Sequence, residues 1–498
     1  MERIKNERDK YKSELRQTQQ ELKQERSKKS SPITSKEDLI FISLRLFLVG
    51  HIGFRAISRM LGILKRCLGI TKVPAPQTII NWVTRYSLSK IWNYNGPPSV
   101  SFDGNQLVNG SIWIIDASIA LGAGKILAVL ELKIDHFMNN NRAPTLDDIN
   151  CVAISVAKSW TGQSIADFLQ QIILVTGKPA AYLKDGGLDL KKGVRLLKER
   201  GLSSFSIDDI SHVIANLLKN EYSKHPSYDG FISACGKASK KFKQSVLACF
   251  TPPKVSTKAR FMNIHRMVTW AQKILQHSPP GRAKSGSAVE KLRDCFGNLP
   301  EYNQFVKRFL RDAVPLLECQ KILKSVGLNM NSYKECKELL KTIPQRSQVR
   351  IGFKVWMEKQ LMVHDSLGLG NIGLPISSDN IESLFGLGKS HGTGEVKDAN
   401  RIALRLPAFC GPVSMESARM VMDVSVKEQQ KVESKLSSLI RQRRTLLPNP
   451  GSLTDNLLTT TDGYLSILPM PKTGKNINKP IDIKQDYYQY SGPVKAVA

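Results

Sequence analysis

The sequence lacks paired cysteines and long apolar runs. None of its eight cysteines belongs to a CxxC pair, no histidine cluster accompanies them, and they are scattered along the chain: Cys67, Cys151, Cys235, Cys249, Cys295, Cys319, Cys336 and Cys410. A zinc site or a disulfide framework is therefore not indicated, and reduced, intracellular thiols fit best. No apolar run is long enough to span a bilayer, and a terminus charged from its second residue is no signal peptide.

Acidic residues are also scarce. There are 43 Asp and Glu against 73 Lys and Arg, which gives a net charge of +30 and a pI near 9.8. This excess indicates a polyanionic partner, and nucleic acid is the leading candidate. A ribosomal or membrane-surface protein is the alternative. At 498 residues the chain has room for two to four domains.

Residues 1–30 form a charged segment almost free of apolar side chains. Those present fall at heptad-like spacings of seven and four: Ile4, Tyr11, Leu15 and Leu22. The pattern is typical of a short coiled coil or a solvated charged helix. It would serve as a dimerisation arm or a helix along DNA, or else be an exposed helical extension.

Residues 36–95 contain three helical patterns, at 38–50, 54–64 and 77–88. Pro76 suits the first turn of the last helix, which is polar and basic on its outer face. This arrangement predicts an all-α helix-turn-helix DNA-binding domain, with a plain helical bundle as the alternative. Four side chains would face a major groove: Gln77, Thr78, Asn81 and Arg85.

The periodicity changes to that of strands in residues 105–224. Three β-rich runs are followed by a helix, a strand, a helix, a strand and a final helix. Three consecutive strands and then alternation predict an α/β domain with a five-stranded mixed sheet. This is the strand order of the ribonuclease H-like fold.

The rest of the chain reads mainly as helix. Residues 225–372 are basic with helical periodicity and are interpreted as a helical insertion domain. Residues 373–447 would complete the α/β domain with a glutamate-bearing segment, 377–391, and a long helix over 414–447. Residues 448–498 are rich in Pro, Gly, Thr and Asn and are predicted to be a flexible tail.

Three carboxylates lie on predicted strands and a predicted helix, in positions that suit metal-assisted phosphoryl transfer. Asp116 lies among apolar residues in the first predicted strand, and Asp185 ends the fourth, before Gly186 and Gly187. The first and fourth strands are neighbours in the predicted sheet, so these acids would meet at one edge. Glu382 follows on a helix packed against that edge. Such oxygens could hold two Mg²⁺ or Mn²⁺ ions about 3.5–4 Å apart.

This order of segments resembles the DDE transposases of bacterial insertion sequences, which have a ribonuclease H-like core. The resemblance covers the helix-turn-helix, IDAS around Asp116, KDGG around Asp185, the helical insertion and NIESLFG around Glu382. It implies that the three acids are the catalytic metal ligands. The long gap before Glu382 is similar to that of members with an insertion domain there.

One subgroup of these transposases carries a Tyr, an Arg and a Lys at fixed places around the glutamate. Lys389 matches the last place, whereas Pro375 and Ser378 stand at the first two, which argues against that subgroup. Lys389 lies seven residues beyond Glu382 on the same helical face. We expect it to contact a DNA backbone.

Each acid also has a purely structural interpretation. Asp116 could cap a turn, and Asp185 before two glycines could be an ordinary turn residue. Asp379 and Glu382 match a capping box, in which Glu382 would only cap its own helix.

Four residues near the acids are candidates for a supporting role. Asp189 lies on the helix after the fourth strand, and His391 closes the glutamate segment. Asp209 and His212, in the stretch DISH, are expected to cap and orient a helix near the site. A metal or proton-transfer role for His212 is the alternative.

The expected function is that of a DNA transposase acting on terminal repeats and target DNA, with two Mg²⁺ or Mn²⁺ ions. Joining two ends implies a homo-oligomer, at least a dimer. The expected location is the prokaryotic cytoplasm, at the nucleoid, with no membrane partner. Two alternatives remain: a non-catalytic DNA-binding protein derived from a transposase, and a metal-dependent nuclease of the same fold.

Overall fold

The structure is a computed structural model that describes residues 35–98, 102–103, 106–107, 110–119, 124–254, 260–276, 282–391, 398–436 and 463–470. The predicted charged helix at 1–30 lies outside these residues, as do 437–447 of the predicted long helix. Among the helices that the structure does describe, none combines the length and apolarity needed to cross a membrane.

Three helices open the described chain: α1 (Lys36–Leu48), α2 (Phe54–Ile63) and α3 (Pro76–Trp92). Ser35 caps α1, and Pro76 occupies the first turn of α3 as the sequence predicts. Apolar side chains of all three helices share one core. Helix α3 is enclosed along most of its length, and its buried residues are Ile79, Trp82, Val83, Thr84, Tyr86, Ser87, Leu88, Ser89 and Ile91.

The strands form a short ribbon and one six-stranded sheet. The ribbon pairs β1 (Phe102–Asp103) with β2 (Gln106–Leu107). The sheet contains β3 (Ser111–Ile119), β4 (Lys125–Lys133), β5 (Ile149–Ala157), β6 (Ala181–Lys184), β7 (Phe205–Asp208) and β8 (Ser466–Ile467). Its order is β7-β6-β3-β4-β5-β8. Strands β3, β4 and β5 are antiparallel, whereas β6 runs parallel to β3, and β7 to β6.

The mixed sheet is confirmed, including the contact between the first and fourth predicted strands, β3 and β6. The sixth strand was not predicted. It falls within the segment assigned to a flexible tail, so that prediction is wrong at β8. Leu465 and Ile467 are buried and Ser466 between them is exposed, which is the alternation of an edge strand. This strand pairs antiparallel with β5.

Helices cover both faces of the sheet: α4 (His136–Asn140), α5 (Gly162–Thr176), α6 (Leu188–Glu199) and α7 (Ile210–Tyr222). Thr161 caps α5, and Gly177 ends it. Helices α5 and α6 pack with Trp113, Ile115 and Tyr182 on one face. The other face shares a core with α3, α7 and the later helices.

Residues 228–366 are mainly helical in their described part, as the sequence predicts. The helices are α8 (Tyr228–Lys243), α9 (Arg260–Gln276), α10 (Ala288–Phe296), α11 (Asn303–Val326), α12 (Met330–Leu339) and α13 (Gln348–Ser366). The aromatic rings of Tyr222, Phe305 and Phe309 pack together and join α7 to α11. The apolar residues of this helical block belong to the same core as one face of the sheet.

Four helices follow in the described residues from 379 to 436: α14 (Asp379–His391), α15 (Ala399–Ala403), α16 (Met415–Asp423) and α17 (Val426–Ser434). The continuous helix predicted from residue 414 is wrong, because α16 ends at Asp423 and Val424 is extended. Ser425 then caps α17 through a capping box with Glu428, and this local bonding competes with helix continuation.

Candidate active site

Two of the predicted ligands lie at the same level of two adjacent parallel strands, Asp116 within β3 and Asp185 directly after β6. In the pairing of β3 with β6, Ile115 lies opposite Lys184, so Asp116 and Asp185 are the next residues on each chain. Ile115 packs against α5 and α6. Because side chains alternate along a strand, Asp116 points to the other face, where α14 contacts β3.

The turn after β6 positions the Asp185 carboxylate. The Gly187 amide donates a hydrogen bond of 2.8 Å to Asp185 Oδ1. A Cβ on Gly187 would lie 2.8 Å from the same oxygen, so a side chain there would displace the carboxylate. Asp116 Oδ1 likewise accepts a bond of 2.7 Å from the Ala117 amide.

Glu382 reaches the site on α14, whose first turn is held by two distant segments. Lys324 of α11 contacts the Asp379 carboxylate at 2.5 Å. The amide and hydroxyl of Ser378 donate to Asp209 Oδ2 at 2.7 and 3.0 Å. Ile381 is buried on the inner face of the helix, whereas the Glu382 side chain is 49% exposed.

Glu382 does not cap its own helix. Its carboxylate lies 3.5 Å from His212 Nε2, while the Asp379 amide contacts Ser377 Oγ at 3.4 Å. The capping-box interpretation of Asp379 and Glu382 is therefore wrong.

The predicted capping role of Asp209 is confirmed. Asp209 Oδ1 accepts a hydrogen bond of 2.9 Å from the His212 amide at the start of α7. Its other oxygen accepts from Ser378, so one buried carboxylate fixes the start of α7 beside the start of α14. Burial raises the pKa of Asp209, and these hydrogen bonds oppose the shift.

The charges of the acids act on one another. The pKa of Asp116 is raised to about 7, first by burial and then by the negative charges of Asp185 and Glu382. The hydrogen bond to Glu382 is the largest cause that raises the pKa of His212 to about 9, although burial opposes it. Asp209 and Asp185 raise it further. The site thus gathers negative charge around one imidazolium.

The donors fit a hard divalent cation in their chemistry, since all three predicted ligands are carboxylates. The mutual repulsion at Asp116 is the kind that a bound cation relieves. In the present side-chain arrangement, no group of three His, Cys, Asp or Glu among the described residues is placed to hold an ion. Glu382 is instead paired with His212.

Basic and polar side chains surround the acids. Lys389 Nζ donates to Ser118 Oγ at 2.7 Å, two residues along β3 from Asp116. A Cβ on Gly186 would lie 3.2 Å from Asn216 Nδ2 and 3.9 Å from Lys191 Nζ. Sequence reasoning missed Ser118, Lys191 and Asn216. The spacing of Asn216 could have identified it, because a residue four positions after His212 lies on the same face of a helix.

Asp189, one of the predicted supporting residues, is not brought into contact with the three acids. Asp189 is exposed in the first turn of α6. His391 is the last residue of α14, and its side chain lies outside the part of the chain that the structure describes.

The predicted DNA-facing residues of α3 lie beside the C-terminal helices. Gln77 is exposed and donates to Asn81 Oδ1 at 2.9 Å, and Thr78 is half-buried. Gln429 of α17 donates to the same Asn81 oxygen at 3.1 Å. An Arg85 guanidinium nitrogen contacts the Val424 carbonyl at 3.4 Å.

No protein-family model matches this chain, and no curated protein resembles it significantly. The chemistry of the site is therefore the basis on which its function is inferred.

Proposed function

We propose that this protein is a DNA transposase of the DDE type. The observation that carries the proposal is that Asp116 and Asp185 stand at one level of two adjacent parallel strands, with Glu382 of a distant helix nearby. Burial is the first cause that raises the pKa of Asp116 to about 7, and the charges of Asp185 and Glu382 add to it. The order of the sheet supports a ribonuclease H-like core with the helical block inserted between Asp185 and Glu382.

Asp116, Asp185 and Glu382 would hold two Mg²⁺ or Mn²⁺ ions. Bound ions of this kind supply positive charge to the attacking and leaving oxygens of an in-line phosphoryl transfer. The chain's own contribution is to fix the three donors on the sheet edge and α14. Asp209 positions α7 and α14 relative to each other, and Lys389 places a positive charge beside the strand that carries Asp116.

The reaction has two phosphoryl transfers. In the first, water attacks the phosphorus at the element end, the bond to the 3′ oxygen breaks, and that oxygen leaves as a 3′-OH. In the second, this hydroxyl attacks a phosphorus of the target strand and displaces the target's own 3′ oxygen. Both steps act on the same type of bond, so one set of three carboxylates serves both.

The partner is DNA, both terminal repeats and target. The net charge of +30 supports this, because each neutralised phosphate releases counterions and strengthens binding at low salt. Residues 36–95 would form the helix-turn-helix domain, in which Gln77 is exposed, whereas Asn81 and Arg85 already contact Gln429 and the Val424 carbonyl. We expect at least a dimer, since two ends must be joined. The proposed location is the prokaryotic nucleoid.

The test uses purified protein, Mg²⁺, and a plasmid carrying the gene with its flanking genomic DNA. Cleavage followed by joining is expected, and each of Asp116→Asn, Asp185→Asn and Glu382→Gln should lower the rate at least about 10³-fold. Asp229→Asn, which removes an exposed carboxylate in the first turn of α8, is the matched control and should retain activity. Cleavage without joining would indicate a nuclease. DNA binding without cleavage, unchanged by Asp116→Asn, would indicate a non-catalytic DNA-binding protein.

A further inference from the structure

The helical block contains a cavity that the proposed catalytic site does not use. Its volume is about 420 Å³, and it lies where α7, α11 and the start of α13 meet. We call it the arginine cavity, and its charged and hydroxyl-bearing lining residues are Glu221, Arg308, Arg311, Asp312, Arg346 and Ser347. Three guanidinium groups face two carboxylates, so the lining carries net positive charge.

The two carboxylates hold two of the arginines in place. Arg308 Nη2 lies 2.9 Å from Glu221 Oε1, and Arg311 Nε lies 2.9 Å from Asp312 Oδ1. Asp312 is itself buried and accepts a hydrogen bond of 2.7 Å from the Tyr222 hydroxyl. Each ion pair uses one donor of a guanidinium group that has five. The remaining donors are available to a ligand, because both arginine side chains are nearly half exposed.

The third arginine and its neighbour have no such partners. Arg346 is exposed and makes no ion pair or hydrogen bond with the described residues. Ser347 holds the N-cap position of α13, yet its hydroxyl does not cap that helix. The Ser347 oxygen is buried and has no hydrogen-bond partner in the described part of the chain. Guanidinium groups, a free hydroxyl and uncapped helix amides all bind phosphate oxygens.

We propose that the arginine cavity binds a backbone phosphate of the DNA, several base pairs from the bond that the catalytic site cleaves. The identity of the ligand rests on the proposed function. Helix α11 links the two places, since Arg308 precedes Lys324 by sixteen residues and Lys324 contacts Asp379 at the start of α14. At about 1.5 Å per residue the separation is about 24 Å. A duplex lying along α11 would have phosphates of one strand about 3.4 Å apart along its axis, which would place the contact about seven base pairs away.

Arg346→Gln is the test variant, because Arg346 has no carboxylate partner that its loss would leave buried and unpaired. Lys359→Gln removes one positive charge from an exposed position on α13, away from the arginine cavity, and is the control. Fluorescence anisotropy with a labelled duplex of arbitrary sequence, without divalent ions, is measured across a salt series. We expect Arg346→Gln to weaken binding about three- to ten-fold and to reduce the salt slope by about one. Equal affinities and slopes for both variants would overturn the proposal.

A second measurement locates the phosphate. Methylphosphonate is placed at one position at a time in a cleavable duplex, and its effect is combined with Arg346→Gln. Non-additive losses are expected at a phosphate about seven base pairs from the cleaved bond. Additive losses at every position would overturn the assignment to the DNA backbone.

Titration with inorganic phosphate tests whether the arginine cavity binds free phosphate instead of a phosphate of the DNA backbone. If phosphate binding is lost in Arg346→Gln while duplex binding is unchanged, the cavity serves a free phosphate and the DNA assignment fails. The parent protein could instead fail to cleave DNA while Arg346→Gln still weakens duplex binding. That result would reject the proposed enzyme activity and retain the phosphate site.

Discussion

His212 Nε2 lies 3.5 Å from Glu382 Oε1, so the helix after β7 is joined to the helix that carries the last acid. Both partners depend on Asp209, which bonds the His212 amide on one side and Ser378, four residues before Glu382, on the other. Asp209 therefore fixes the start of the helix that carries Glu382, and its own amide donates to the Lys184 carbonyl directly before Asp185.

The first prediction concerns the titration of His212. In buffer with a chelator, His212 should titrate near pH 9, because Glu382, Asp209 and Asp185 favour the imidazolium form. In Glu382→Gln the midpoint should fall toward the ordinary value of about 6.5. The Cε1 proton shift followed by NMR measures it, with His212→Asn to assign the signal. If Glu382→Gln left the titration midpoint of His212 unchanged, the contact between His212 and Glu382 would be absent in solution.

The same shift has a consequence for stability. Because the folded-state pKa of His212 is raised, its contribution is fully present below about pH 6.5. That contribution is lost as the pH rises through about 9. Chemical denaturation at pH 6 and pH 9 should therefore show a smaller stability difference in His212→Asn than in the parent protein.

Removal of a proposed metal ligand should stabilise the metal-free fold. The pKa of Asp116 is about 7 in the folded chain, well above its ordinary value, so folding becomes less favourable as the pH rises from about 4 to 7. Asp116→Asn removes that cost and should stabilise the protein at pH 8 by on the order of 1–3 kcal/mol. The melting temperature in chelator measures the gain, which should shrink at pH 5. A lower melting temperature than the parent at pH 8 would contradict the repulsion among the acids.

Loss of the Asp209 carboxylate should destabilise the fold. Asp209→Ala leaves the His212 amide and both Ser378 donors without their acceptor, which should cost about 2–4 kcal/mol. Asp209→Asn keeps one acceptor oxygen and should cost less. Urea denaturation measures the free energy of unfolding, and Asp147→Ala at an exposed acid should stay within about 0.5 kcal/mol of the parent. Equal decreases in the free energy of unfolding for Asp209→Ala and Asp147→Ala would show that the Asp209 carboxylate does not stabilise the fold.

Local patterns in the sequence predicted the parts of the site that depend on local structure. The apolar runs around Asp116 and before Asp185 are long enough to identify strands, and their order places them side by side. The role of Asp209 as a cap follows from its position just before a helical pattern.

The remaining features depend on contacts distant in sequence. Ser378 bonds Asp209, and Lys324 bonds Asp379. The partners are far apart in the sequence, and no sequence pattern indicates that they meet. The motif of Asp379 and Glu382 matched a capping box, yet tertiary partners engaged both side chains. Strand β8 has only two residues and pairs with β5, so its pattern was too short to recognise.

The last prediction concerns the turn that holds Asp185. A methyl group on Gly187 would lie 2.8 Å from Asp185 Oδ1 and push the carboxylate away. The backbone angle of Gly187 is ordinary for alanine, φ −59°, so Gly187→Ala should fold normally. We expect the rate of DNA end cleavage to fall about 10²-fold, since a displacement of about 1 Å at a reacting centre costs that much. Manganese affinity by calorimetry should fall in parallel.

Gly186→Ala is the matched control for this prediction. Its methyl group would approach the Asn216 amide at 3.2 Å rather than either acid, so a smaller loss of cleavage and little change in manganese affinity are expected. If Gly187→Ala kept both the cleavage rate and the manganese affinity of Gly186→Ala, the Asp185 carboxylate would not need the position that Gly187 gives it. The assignment of Asp185 as a metal ligand would then fail. If Gly187→Ala and Gly186→Ala instead had equal melting temperatures but unequal cleavage rates, the effect would lie at the carboxylate and not in the fold.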